Sequence, residues 1–560
     1  MKAILAISVF SVGKKAHFIQ ICSGYNAGLF GVLYVLMLMA APLYGQSWQS
    51  LYTWGGAGNE SVEAIVRRGD GAYWVGGGFQ GKAQVGSKTW TAWGEEDLYV
   101  ASYQAGKGWD GVLHLGSGGA DVLSVLAAVP SGGFLCGGEF WQQLLLPQGD
   151  TLRAVRNPKA LFIGHFGAGG QALWAKKIEA GNLKALKGMV LAKDGIYLSG
   201  FFSDTLSMDS LMLPSSGSSD AFLIKLDYQG HVLWGRRFGM AGDVRAMALA
   251  LGPGGPVLAG NFNQRLAVGD SVFVANTRDW DVFIAAFAPN GTLRWARKAG
   301  GVYDDEAFDV ATGPDGAVYV CGQIVGVMRL GPGLEIQSQD GNADAFILKY
   351  RADGSPEWAK TIAGPGVQSG YRLRRDGGEL AVAGYYRGAL AWAGRGIVSG
   401  NAFNGFLALF DGLGNERALV ALPGDAPVFP GALETDGQGT WLIGGSYGGA
   451  LYWDGLQGAT PTGGFDAFIA VWGTAVNAQT EPMWASDIRM YPNPARERIW
   501  VEVPAVPSPA LSLYDLQGQG IASSLGSGTL ELPPLPAGLY ILEIRSGVEK
   551  VWRRVVLAGR

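Results

Sequence analysis

Acid–base and metal-binding side chains are scarce here: 560 residues hold 3 Cys and 4 His. No Cys-x-x-Cys occurs and no two histidines stand at metal-ligand spacing, so a zinc site has nothing to build on. Nucleophile-elbow and P-loop patterns are missing as well, and no cofactor is expected. Charge is thin, 16% of residues with a net of −4, and no basic stretch invites nucleic acid. Glycine (89 residues) and aromatics (19 Trp, 20 Tyr, 24 Phe) are plentiful instead. That balance excludes disorder, which needs high charge and few aromatics. It fits short strands packed on rings and joined by tight glycine turns.

The organisation is repetitive. A strand ending in Gly-x-aromatic or Gly-x-Ile recurs seven times, its landmark glycines being Gly77, Gly138, Gly200, Gly260, Gly322, Gly384 and Gly445, spaced 60 to 62 residues apart. A second landmark opens another strand at Asp97, Asp220, Asp281, Asp344 and Asp466, with degenerate copies at Ala160 and Asn404. A third is a Gly-x-x-x-Trp turn and strand: Gly170 to Trp174, Gly230 to Trp234, Gly291 to Trp295 and Gly354 to Trp358. Each unit contains four alternating segments separated by turns such as Gly252-Pro-Gly-Gly255, whose residues supply the positive φ of a tight reversal. Seven repeats of four antiparallel strands predict an all-β, seven-bladed β-propeller. The last copy stops after Asp466 to Trp472, and Trp48 to Trp54 is a fourth strand lacking its first three. The N-terminal strand is therefore expected to complete the last blade, removing two open edges. Cys136 and Cys321 share one repeat position in distant blades; a disulfide needs Cα atoms within about 7 Å, so both are expected as buried free thiols.

Residues 1–46 read as an export signal: Lys14 and Lys15, an apolar run from Ala27 to Ala41, then small residues, with cleavage near Gly45 or Gln46 and Cys22 lying before the run. A membrane anchor is the alternative; the reading adopted is a mature chain that does not span a membrane. The propeller is placed at 47–473, a linker at 474–487 and a terminal module at 488–560. Period-two strands between Gly and Pro turns predict a small immunoglobulin-like β-sandwich in that module.

The repeat, an Asp-Ala strand leading to Gly-x-x-x-Trp and then to a strand ending in Gly-x, resembles the bacterial β-propeller repeat family over Trp48 to Gly473. The terminal module resembles the type A sorting domain of the type IX secretion system. Tyr491, Pro492, Asn493 and Pro494 open it, Leu513-Tyr-Asp515 precedes a glycine turn, and Gly538 and Tyr540 belong to the Pro-Ala-Gly-Leu-Tyr strand. That resemblance implies the type IX machinery as partner and a secreted or cell-surface location outside a Gram-negative bacterium.

Long connections follow each Gly-x-aromatic strand and begin with an apolar segment, so extra hairpins are expected on one face. Loops on a rigid scaffold are where binding concentrates. Candidate contacts there are Trp93, Trp141, Trp280 and Trp453. The repeated Asp is read as a strand-start carboxylate accepting turn N–H groups, and the repeated Trp as packing. The run Asp304-Asp305-Glu306 is read as a solvated turn. The expected function is non-enzymatic binding or adhesion to a glycan or protein. The alternative is a polysaccharide hydrolase or lyase with its site on the decorated face.

Overall fold

The computed structural model describes residues 46–104, 108–275, 279–392, 395–453, 456–474, 488–503, 509–515, 520–524, 528–546 and 549–558. The export signal and the linker therefore lie outside the described residues, apart from Gln46 and Thr474. The described residues form strands and turns; no helix among them is long and apolar enough to cross a membrane.

Up to Thr474 the strands form seven successive antiparallel sheets. The first holds Ala64–Arg67, Tyr73–Phe79, Asp97–Gln104 and Gly108–Leu115 in that order. The fourth repeats the plan with Val244–Gly252, Gly255–Phe262, Asp281–Phe287 and Leu293–Ala299. In the seventh, Val428–Thr435, Trp441–Tyr447 and Asp466–Thr474 are followed by Gln46–Trp54, the strand from the other end of the sequence. The Trp48 and Trp472 rings meet edge to face at 5.3 Å, and the Gln49 amide donates to Gly473 O at 2.9 Å.

Each sheet buries its faces against its neighbours. The first strand of each sheet lies along the first strand of the next, and Ala64–Arg67 also lies along Val428–Thr435. Apolar clusters form between successive sheets; one joins Ile65, Val75 and Tyr99 of the first to Ala432, Leu442 and Ile469 of the seventh. The repeated tryptophans work at these seams. Trp174 Nε1–H donates to Tyr228 O and Trp295 Nε1–H to Ala352 O, both at 3.0 Å across to the following sheet. The turn glycine is needed twice over at Gly230: its φ is +84°, and a Cβ there would stand 2.9 Å from the Trp174 ring. Cys136 and Cys321 are buried and free.

Small two-stranded hairpins extend the connection between second and third strands, as at Thr205–Met208 with Leu211–Pro214 and Arg265–Val268 with Ser271–Val274. Opposite connections are short, for example Asp376 to Glu379. One face of the sheets thus carries most of the loop material.

From Arg489 onward the strands pair among themselves in a three-stranded and a four-stranded sheet. Both contribute to one core, with Ile499, Val501 and Leu530 from one and Leu511, Leu542 and Val555 from the other. Tyr491 stacks on Trp500, Asn493 Oδ1 accepts from Val556 N–H at 2.9 Å, and Tyr540 donates its hydroxyl to Pro536 O at 3.2 Å. Gly538 begins the long strand Gly538–Ser546, and Pro492 and Pro494 follow cis peptide bonds.

Candidate functional site

The repeated aspartates sit at strand starts and cap turns. Asp97 accepts from Trp93 N–H at 2.9 Å, Asp220 from Ser216 N–H at 2.9 Å, and Asp466 from Thr462 N–H at 3.0 Å. Three of them also meet a basic side chain seventeen residues on: the His114 ring at 2.6 Å, Arg237 at 2.8 Å and Lys298 at 2.7 Å. His114 beside Asp97 therefore stands where the other two sheets place Arg237 and Lys298, although an isolated Asp–His contact suggests acid–base chemistry. Sequence reading missed it because the partner residue changes from sheet to sheet. Next to these three stands a glycine at the fourth strand's end. A methyl group at Gly116, Gly239 or Gly300 would overlap the Asp97, Asp220 or Asp281 carboxylate. At Asp466 that place is taken by Gly55, from the N-terminal strand.

The acidic triplet differs from expectation. Asp304 is exposed and accepts from Trp280 N–H at 2.9 Å, but Asp305 is fully buried at the start of strand Asp305–Thr312 and Glu306 is half-buried. Burial pushes the Asp305 carboxyl up to about 8, with the Asp281 charge adding to it. Glu60 and Asp121 occupy the corresponding place in the first two sheets, and burial raises both to about 7. A triplet of acids reads as solvent-facing, but the strand pattern carries its middle member inward.

The four candidate tryptophans are dispersed. Trp93 is exposed and stacks on His114 at 4.2 Å; Trp141 is half-buried and donates its backbone N–H to Asp121 at 2.8 Å. Trp280 is half-buried with the Arg245 guanidinium 4.6 Å from its ring. Trp453 ends the strand Leu451–Trp453, and its side chain lies outside what is described. The four belong to different sheets, and Trp93, Trp141 and Trp280 have different partners.

A cluster does form elsewhere on the decorated side. Tyr385, Phe403, Phe429 and Phe465, all half-buried, make a continuous arc from the sixth sheet to the seventh. Tyr385 meets Phe403 and Phe429 edge-on at 5.5 and 5.6 Å, and Phe429 stacks on Phe465 at 6.1 Å. The exposed Arg387 lays its guanidinium 4.7 Å from the Phe403 ring. Phe403 and Phe465 each precede the strand-opening Asn404 or Asp466, a place held elsewhere by Glu96, Lys159, Ser219, Trp280 and Ala343. The signal was available as two phenylalanines at a place where no other residue type repeats, one residue before the second landmark.

A cavity of about 230 Å³ is lined by first strands from all seven sheets. In sheets two to seven the first strand carries a β-bulge, and the extra residues are Ser124, Lys187, Met247, Phe308, Tyr371 and Gly431. Glu63 holds the equivalent place in the first sheet, and all of these but Gly431 line the cavity. Asp309 receives the Leu373 N–H at 2.9 Å and the Arg374 guanidinium at 3.1 Å. Arg372 donates from Nε to Gly431 O at 2.6 Å and lies 4.3 Å from the Tyr371 ring. Among the described residues no group of three or more His, Cys, Asp and Glu is arranged to hold a metal ion.

Comparison with known proteins identifies the terminal module. Residues 489–558 match the family of secretion system C-terminal sorting domains. The chain carries a signal for type IX export, which directs it to the cell surface or the extracellular space. A curated relative, the regulatory protein FlaEY of Caulobacter vibrioides, is 28% identical over 196 residues, 34% of this chain. The match spans 20% of that protein's length. Among solved structures, a protein of unknown function from Dyadobacter fermentans aligns with 77% of this chain and all of its own, at 11% identity and a TM-score of 0.36. The parainfluenza virus 5 hemagglutinin-neuraminidase ectodomain aligns with 80% of this chain and 94% of its own, at 9% identity and a TM-score of 0.31. Likeness at that level carries no argument about activity.

Proposed function

We propose that the chain is an exported binding or adhesion protein, not an enzyme. In this reading 47–473 form a seven-bladed β-propeller that takes a glycan or protein ligand on its decorated face, and 488–560 form an immunoglobulin-like sorting sandwich. Support for the propeller comes from the strand orders, the seam between the last and first sheets, and the N-terminal strand in the seventh. The observation that carries the binding reading is the arc of Tyr385, Phe403, Phe429 and Phe465. The residue at these places varies from repeat to repeat, so the scaffold does not demand a ring there, yet four rings stand side by side. Half-buried rings give a rigid apolar platform at little cost in side-chain entropy, suited to stacking on sugar rings or anchoring a partner's side chains. The non-enzymatic half rests on the recurrence of a basic side chain beside the repeated Asp, which reads the Asp97–His114 contact as part of the scaffold.

The test is glycan-array and calorimetric binding with the purified secreted chain. Phe403→Ala is expected to weaken binding about tenfold or more, the scale of a lost aromatic anchor, with melting nearly unchanged. Trp93→Ala, outside the arc, is expected to leave affinity intact. Full affinity in Phe403→Ala would overturn the assignment.

A further inference from the structure

The seven-sided cavity is a second place to ask for a ligand, since none of the arc's residues lines it. Its wall combines apolar surface with fixed charge. On one side Arg372 and Arg374 stand two residues apart on one strand, with Asp309 as the neighbouring carboxylate on the cavity wall. Arg374 binds that carboxylate directly at 3.1 Å. Arg372 is held otherwise: Nε donates to Gly431 O, Nη1 to Tyr371 O at 3.3 Å, and its plane lies by the Tyr371 ring. These contacts fix the guanidinium and leave Nη2 with no acceptor among the described residues. Its positive charge has no ion-pair partner there either.

Elsewhere on the wall the bulge residue Lys187 is exposed, with no hydrogen bond or ion pair among the described residues. Glu63 is the other acid on the wall. Among the lining cations, Arg374 is matched by Asp309 and by the charge of Glu434, next to the lining residue Leu433, which leaves Arg372 and Lys187 to face an incoming group. A guanidinium pinned against an aromatic ring, with spare donors, is pre-organised for an oxyanion. The half-buried Arg372 in this concave wall acts through less water than a surface charge and attracts a counter-charge more strongly.

We infer that this cavity is a binding site for a small oxyanion, a carboxylate or sulfate group, held by Arg372 and reached by Lys187. Phe308 and Tyr371, whose rings lie 5.7 Å apart, supply an apolar flank for whatever carries the group. The space of about 230 Å³ suits a body of roughly monosaccharide size, below the usual range of drug-sized pockets. The same chemistry is offered by a free ion and by an acid group on a sugar.

Isothermal titration of the full secreted chain at low salt tests this with sodium sulfate, glucuronate and glucose. Binding of glucuronate but not glucose is expected, and sulfate binding alone would assign the site to a free ion. Arg372→Gln and Lys187→Gln are each expected to weaken the anion about tenfold or more, the loss of one charge-assisted contact. Arg329→Gln, an exposed partner of Glu335 outside both the cavity and the arc, should leave it unchanged. Because Arg372 also anchors Gly431 O, Lys187→Gln carries the test if Arg372→Gln fails to fold. No heat with either anion, or unchanged affinity in Lys187→Gln, would overturn the inference. The arc experiment reads different residues, so either can fail alone.

Discussion

At the residue scale the unusual feature is carboxyl groups held where water is excluded. Asp305 is pushed up to about 8, Glu60 and Asp121 to about 7, and Asp344 to about 6, burial being the first cause in each. Unfolded, such groups ionise at about 4. Between those limits the folded chain holds protons that the unfolded chain releases. Their stabilising contribution is thus complete below pH of about 4 and is lost as pH rises through 6 to 8. The melting temperature is expected to be higher at pH 5 than at pH 8.5, and Asp305→Asn to shrink that difference. A melting temperature that rises from pH 5 to 8.5 would contradict the assignment. None of this is visible in the sequence, where Asp304-Asp305-Glu306 looks like a hydrophilic turn. Burial of the middle residue depends on the strand beginning there and on the sheet next to it.

At the element scale most of the architecture was legible. The landmark glycines mark second strands, the Asp positions third strands and the Gly-x-x-x-Trp turns fourth strands, because each answers a local demand of turn or seam. The bulges were not legible. Period-two alternation assumes one residue per pleat, and an extra residue such as Lys187 or Tyr371 reads only as noise in it. The aromatic arc escaped for the opposite reason: searching for what recurs passes over places where the residue type varies. The N-terminal strand, by contrast, was found by what the last repeat lacked. Removing 46–54 should leave Asp466–Thr474 as an open sheet edge and strip the seam of Trp54, whose ring packs on Trp109. The shortened chain is expected to melt lower by roughly 5 °C or more and to self-associate in light scattering. A synthetic peptide of residues 46–54 should reverse both effects. An unaltered, monomeric product would show the strand to be dispensable.

For the whole molecule, sorting and binding are assigned to separate strand systems. The strands from Arg489 onward share one core of their own, so deleting 488–560 removes no strand from the seven sheets. Cell fractionation is expected to find the truncated chain in the periplasm with nearly unchanged melting, while the full chain reaches the surface or medium. Truncated protein outside the cell would refute the sorting role. An unfolded truncated chain would instead place the domain boundary wrongly.

The seventh sheet also sets a clock. The Gln49 side chain reaches Gly473 across 424 residues of sequence. At the usual rate of synthesis, about 5–20 residues per second, the first strand waits roughly 20 to 80 s for its partner. A chain cut short anywhere before Asp466 keeps that strand unmatched and sticky. Completion of the last sheet therefore requires every strand up to Asp466–Thr474, and it comes just before the residues that address the protein for export.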